Sequence, residues 1–186
     1  MTARYDFLRN EFLTLSLMGA SQHVRIYADG VGEADRAKVR NAVRERIEAS
    51  ATGYANGDVS ESDHVAHIAA LADGLSTDFA TSLADGRFRI GPAQKGLNLY
   101  LKYLWCAGFI PRPPHCPVDA IVLRAAKAPA DILWSKMDST AGYLDAIAHL
   151  RKEASSMALA EWELQAWSER PQGGTSCGAI LPMEGI

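Results

Sequence analysis

The chain lacks most of the features that mark a protein class on sight. Among its 186 residues there are three cysteines, Cys106, Cys116 and Cys177. An odd count at wide spacing makes no disulfide framework, so reduced thiols and a cytoplasmic location are expected. No CxxC pair, Walker A loop, dinucleotide fingerprint, Gly-x-Ser-x-Gly elbow or HExxH is present. Phosphate-loop NTPase and α/β-hydrolase chemistry are therefore not expected, and no cofactor is implied. The N-terminal run MTARYDFLRNEFLTLSLMG is interrupted by Asp6, Arg9, Asn10 and Glu11. Its apolar stretch is too short for a signal-peptide core or a membrane span, so no membrane association is expected. No internal repeat and no strand hairpin pattern is visible.

One absence is local. From Gly86 to Val118 there is no Asp or Glu, in a chain with 22 acids, 19 bases and a net charge of -3. The same stretch carries Arg87, Arg89, Lys95, Lys102 and Arg112 among Phe88, Tyr100, Tyr103, Trp105 and Phe109. Cations interleaved with rings are what a surface for phosphates and bases needs. A buried central helix with basic ends would show the same pattern.

What is present is helical periodicity. Phe7, Leu8, Glu11, Phe12, Leu15 and Met18 repeat at helical spacing, with Gly19 as the expected stop. A short helix over 21–28 is a weaker expectation. A helix over about 33–54 carries an apolar line of Val39, Val43 and Ile47 beside Arg36, Arg40 and Arg44, with Lys38 and Arg46 nearby. Glu33, Asp35, Glu45 and Glu48 make that basic line an ion-paired, solvated face by default. Ser60-x-x-Asp63 predicts an N-cap for a helix reaching Ala72 and ending at Gly74. A short helix follows over 76–83. Gly91-Pro92 opens a helix to about Ala107, capped by Gly108. Leu97, Leu101 and Leu104 make its apolar face, and Lys95, Asn98 and Lys102 a narrow polar stripe. A helix apolar over most of its circumference is expected at the centre of a fold. The proline-rich 111–117 stretch is a stiff connector. Further helices are expected over 118–127, 139–154 and 157–167, the last with Ser156 as its cap. The fold class is all-α, a single array of about eight helices over residues 1–170. A Gly-rich tail over 171–186, starting after Arg170-Pro171, is expected to be mobile.

Asp119 is the only acid between Asp85 and Asp131. It is either a helix cap on Ile121 or Val122 or a site carboxylate. Lys95, near a helix N-terminus, is unfavourable for the dipole, so it is either placed for a task or simply paired. His115-Cys116 is a poor nucleophile–base pair, because neighbours on an extended chain point apart. His64-x-x-His67 beside Asp63 can chelate a metal, but two histidines are too few for a site, and no metal is assigned. The Tyr and Trp residues are expected mainly in the core, with one of Trp162 and Trp167 exposed.

The order Ile90-Gly91-Pro92, Lys95, apolar helix, Pro117-Val118-Asp119, Val122 resembles the second half of the helix-hairpin-helix DNA glycosylases. The similarity covers about Arg87 to Ala126. Of the family's Gly-rich hairpin only Gly91 is present, and Ala120-Ile121 stands where a His often follows. The resemblance implies that hairpin amides hold a DNA phosphate, that Asp119 stabilises positive charge on the sugar, and that Lys95 attacks its anomeric carbon.

The resulting expectation is a nucleic-acid-binding helical protein with DNA glycosylase-like base excision at Asp119 and Lys95. Binding to DNA or RNA would run through residues 86–115, with Arg87, Arg89, Gly91, Lys95, Asn98, Lys102, Arg112 and His115 as the contacts. The alternative class is a non-catalytic helical interaction protein, including a homo-oligomer, that buries aromatic surface against a partner. A metal-dependent hydrolase using His64 and His67 is the third.

Overall fold

Two serines turn extended chain into helix. Ser60 accepts a hydrogen bond from the Asp63 amide at 3.1 Å, and Ser139 accepts one from the Gly142 amide at 3.2 Å. Each answers an amide that the first helical turn leaves unpaired. The computed structural model describes residues 2–57 and 59–169. Among them are seven α-helices: α1 (Ala3–Ser21), α2 (Glu33–Thr52), α3 (Glu61–Phe79), α4 (Ile90–Cys106), α5 (Ala120–Ala125), α6 (Thr140–Ala154) and α7 (Leu159–Ser168). Three 3₁₀ turns complete them, at Ala80–Ser82, Ala84–Gly86 and Trp134–Lys136. The fold of the described residues is all-α, as expected. The expected tail over 171–186, its start at Arg170-Pro171, and Cys177 lie outside those residues.

α4 is the centre. It packs against α1 most extensively, and against α2, α3, α6 and the 134–136 turn. Leu97, Tyr100 and Leu101 are wholly buried, and each such side chain contributes about 1.5–3 kcal/mol through burial. Ile47 of α2, Ile68 and Leu75 of α3, and Ile147 and Leu150 of α6 close over the same core. No helix among the described residues is long and apolar enough to cross a membrane.

Several expected boundaries move, each for a packing reason. α1 runs through Gly19, which is no stop. A Cβ there would lie 2.7 Å from Leu99 Cδ1, so the glycine lets α1 lie close on α4. α3 likewise runs through Gly74, under the guanidinium of Arg46, and absorbs the first half of the short helix expected over 76–83, the 3₁₀ turn at Ala80–Ser82 taking most of the rest. Of the stretch 21–28 only Ser21, the last residue of α1, is helical. Tyr27 forms an isolated antiparallel bridge with Leu83, and Ala84 N donates to Ile26 O at 2.9 Å. α7 starts at Leu159 with Ala158 in the cap position and no side-chain cap, so Ser156 does not serve. On α1 the periodicity is right but the face is not: Leu13, Ser16 and Ala20 point inward, while Phe7, Leu15 and Met18 are 62%, 48% and 58% exposed.

Gly91 is the tightest point. Its amide donates to Met137 O at 3.0 Å, and a Cβ would sit 1.9 Å from the Trp134 carbonyl oxygen. Gly91→Ala is expected to lower stability by about 3 kcal/mol, because backbone must move. Gly19→Ala should cost less, because only the end of the Leu99 side chain must give. Urea denaturation of the two variants checks the order.

Candidate functional site

The acid-free segment is not a row of free cations. Arg87 pairs with Asp138 at 2.7 Å. Arg89 bridges Asp138 and Asp85, each at 2.5 Å. Lys95 Nζ is 3.5 Å from Asp119 Oδ2 and 4.2 Å from the centre of the Trp134 ring. Lys102 donates to Glu163 Oε1 at 2.8 Å, with Oε2 a further ion-pair contact at 2.7 Å. Arg112 pairs with Glu161 at 2.6 Å. The acids come from sequence neighbours on either side, brought in by the fold.

Of the residues expected to touch nucleic acid, Gly91, Lys95, Asn98 and His115 lie in the interior. The polar stripe of α4 thus faces inward rather than toward solvent, because each member finds a partner there. The Gly91 amide, expected on a phosphate, is spent on Met137. Arg87 and Arg112 remain about half-exposed, at 48% and 49%. Lys102 is nearly covered. The structure does bring the two expected catalytic residues together. Asp119 Oδ1 caps α5, accepting from Ile121 N at 2.9 Å and Val122 N at 3.0 Å, while Oδ2 meets Lys95. The cap reading of Asp119 holds, and its second carboxylate oxygen serves as the counter-charge of Lys95.

Beneath this lies a polar network that the sequence did not announce. Gln94 pairs with the Val118 backbone, donating from Nε2 at 2.7 Å and accepting at Oε1 at 3.1 Å. Asn98 Nδ2 donates to Gln94 Oε1 at 3.3 Å and to Tyr143 OH at 3.1 Å. Tyr143 OH lies 2.9 Å from His115 Nδ1. His115 Nε2 faces both Glu61 Oε1, at 3.3 Å, and the Arg151 guanidinium, at 3.5 Å. On the other side, Tyr54 OH lies 2.8 Å from His64 Nδ1 and 3.1 Å from His67 Nδ1. The His64 and His115 rings meet edge to face with centres 4.8 Å apart. Among the described residues, His64 Nε2, Asn98 Oδ1 and Glu163 Oε2 are the buried side-chain atoms left without a partner in hydrogen-bond geometry, the last still in ion-pair contact with Lys102.

Burial drives the titration of this cluster. It pushes His64 down to about 3, with the nearby His115 and His67 adding to the fall and Asn98 opposing it. Burial alone pushes His115 down to about 4. It pushes the Tyr54 and Tyr143 hydroxyls up. It also raises the Cys116 thiol, which, with Cys116 only 1% exposed, makes the thiol inert rather than nucleophilic. Burial raises the Glu163 carboxyl against the opposing pull of Lys102. His64 and His67 turn Nδ1 toward Tyr54, and no group of three His, Cys, Asp or Glu placed to hold a metal occurs among the described residues. The one signal that could have revealed the network is Gln94 and Asn98, four apart on an otherwise apolar helix.

The Lys102–Glu163 pair is sealed, with side chains 12% and 3% exposed. Glu163→Gln strands a buried ammonium and is expected to cost about 3–5 kcal/mol, while Lys102→Met with Glu163→Leu should cost much less. The two histidines predict a pH effect. Unfolded, each titrates near about 6.5. Folded, they stay neutral to about 4 and about 3. Between these values the unfolded chain binds more protons. Their contribution is therefore complete above about pH 6.5 and is lost as pH falls through the folded values. Urea midpoints should decline from about pH 6.5 to about 5, before most carboxylates titrate, and His64→Gln should flatten that slope. No family model, no curated protein and no solved structure matches this chain.

Proposed function

We propose that the chain binds nucleic acid at the entry to α4, through Arg87 and Arg89 together with Arg25, His23 and Lys136. The observation that carries this is a cleft of about 430 Å³ whose lining includes His23, Arg25, Asp85, Arg89 and Lys136. Three cations converge there from segments far apart in sequence, against one carboxylate in the lining. Lys136 is exposed and has no ion-pair partner among the described residues. Arg87 and Arg89 pair with Asp138 and Asp85, and Arg25 pairs with Asp29, so the excess of positive charge at this end is the one that Lys136 supplies. In a chain of net charge -3 this is a local basic focus, and local charge is what attracts a polyanion. It narrows the expected surface from the whole of 86–115 to one end of it.

The chemistry that fits this reading is glycosylase-like. Lys95 and Asp119 meet at 3.5 Å although 24 positions apart, with Asp119 still partly accessible. Lys95, having given up a proton to water, would attack the sugar C1′ while the base left with the bonding pair and took up a proton; a second proton lost from the nitrogen and passed to O4′ would then let the C1′–O4′ bond break, opening the ring and leaving an iminium at Lys95. Asp119 would stabilise the positive charge on the sugar. A sugar reaches Lys95 only if the Trp134 segment moves aside. The alternative class is favoured by a different observation, the exposed Phe7, Leu15 and Met18 on α1 beside an apolar groove against α2. That is what a protein partner or a second copy would cover.

Fluorescence anisotropy with single-stranded DNA, duplex DNA and RNA separates the classes. Four phosphate contacts on duplex predict a loss on the order of a hundredfold between about 50 and about 200 mM salt. Arg87→Ala with Lys136→Ala should remove most of the binding. Salt-insensitive behaviour with no nucleic-acid binding would favour the apolar interface instead. If binding holds, Asp119→Asn should keep it, since Asn still caps a helix, but should abolish base release. Lys95→Gln should abolish borohydride trapping of the enzyme on DNA. A fully active Asp119→Asn variant would remove the catalytic part.

A further inference from the structure

On the far side of the molecule the 111–117 connector, the start of α3 and the α6–α7 turn enclose a second cleft, of about 450 Å³. Its walls are Val59, Pro113, Pro114, Met157 and Leu159. The prolines make one wall stiff, and Met157 is 41% exposed. The polar side is built from three groups. Glu61 is salt-bridged to Arg151. Its Oε1 also faces the buried His115 Nε2 at 3.3 Å. Arg112 stands at the mouth, half-exposed beside Glu161. At the edge, Ser155, the C-cap of α6, holds φ 54° and ψ -114°, a conformation that costs a non-glycine residue about 1–3 kcal/mol.

We propose that this cleft binds a small monocarboxylate with an apolar body, and that the Glu61 carboxylate is a tethered occupant of its anion position. Glu61 displays the recognition chemistry: a carboxylate held by one guanidinium and one imidazole N–H. The imidazole donor is aimed from behind. His115 is wholly buried with Nδ1 against Tyr143 OH, which turns Nε2 toward Glu61 and Arg151, and a carboxylate at that place draws the imidazole proton to Nε2. Glu61 itself is 53% exposed in its side chain and sits in the first turn of α3. A free carboxylate that displaced it would keep both polar contacts and lay its chain on Pro113, Pro114 and Met157. Arg112 adds a second positive charge near the entrance. A volume of this size is within the range of small-molecule sites.

The test titrates hexanoate into ¹⁵N-labelled full-length protein and follows the His115 ring nitrogens and the Arg151 Nε signal. Hexanol and hexylamine serve as controls. The expected result is a saturable shift with hexanoate only. Glu61→Ala should tighten binding by about tenfold, through loss of the tethered competitor, and Arg151→Gln should remove it. Glu61→Gln keeps the side chain's shape at the α3 start and should tighten binding in the same direction. No saturable shift in any form, equal shifts with hexanol, or unchanged affinity in both Glu61 variants would overturn the proposal.

Discussion

A helix enclosed on every side can carry a polar group only where another element answers it. α4 carries five such side chains, Gln94, Lys95, Asn98, Tyr100 and Lys102. Each is answered by a different part of the chain: the Val118 backbone, Asp119, Tyr143, Arg9 and Glu163. Apolar burial would hold α4 in the core at several rotations and offsets. These pairings admit one. A buried donor left unmade costs about 1–3 kcal/mol, so a register error on α4 would lose several such contacts together.

The same constraint explains why Gly86 to Val118 has no acid. A carboxylate on α4 would compete with the long-range partners for the basic side chains. By taking its acids from positions 119, 138, 161 and 163, with Asp85 the one that precedes it, the segment ties most of its charges to elements that follow it in sequence. An apparent local excess of positive charge is then largely neutralised in three dimensions, at the α4 entry too, where Arg87 and Arg89 face Asp138 and Asp85.

Much of the fold was legible because it is local. The Ser60 and Ser139 starts, the Asp119 cap and the central place of α4 follow from side chains acting within four residues or from an unbroken apolar circumference. Glycines misled in both α1 and α3. Gly19 and Gly74 read as terminators, yet each sits where a neighbour crosses closely, and only the tertiary packing shows that. Lys95 and Asp119 were put in one site only by the glycosylase resemblance, since no local pattern links positions 95 and 119. The His115–Tyr143–Asn98 chain was not legible, because its members stand at positions 98, 115 and 143 and no local pattern links them. The inward turn of Asn98 and His115 could not be distinguished from a solvated stripe until their partners were in place.

The Lys102–Glu163 contact has a consequence for the making of the protein. A ribosome delivers α1, α2 and α3 first, then α4, and only much later α7. Until Glu163 has emerged, Lys102 has no counter-charge, Asn98 waits on Tyr143, and the side of α4 meant for the C-terminal helices stands open to water. The growing chain therefore cannot complete its core in the order of synthesis. It must hold its central helix half-clothed, with Leu97 and Leu101 covered from one direction alone, until nearly the last helix arrives. A nascent chain of this design is the form in which a chaperone would meet it.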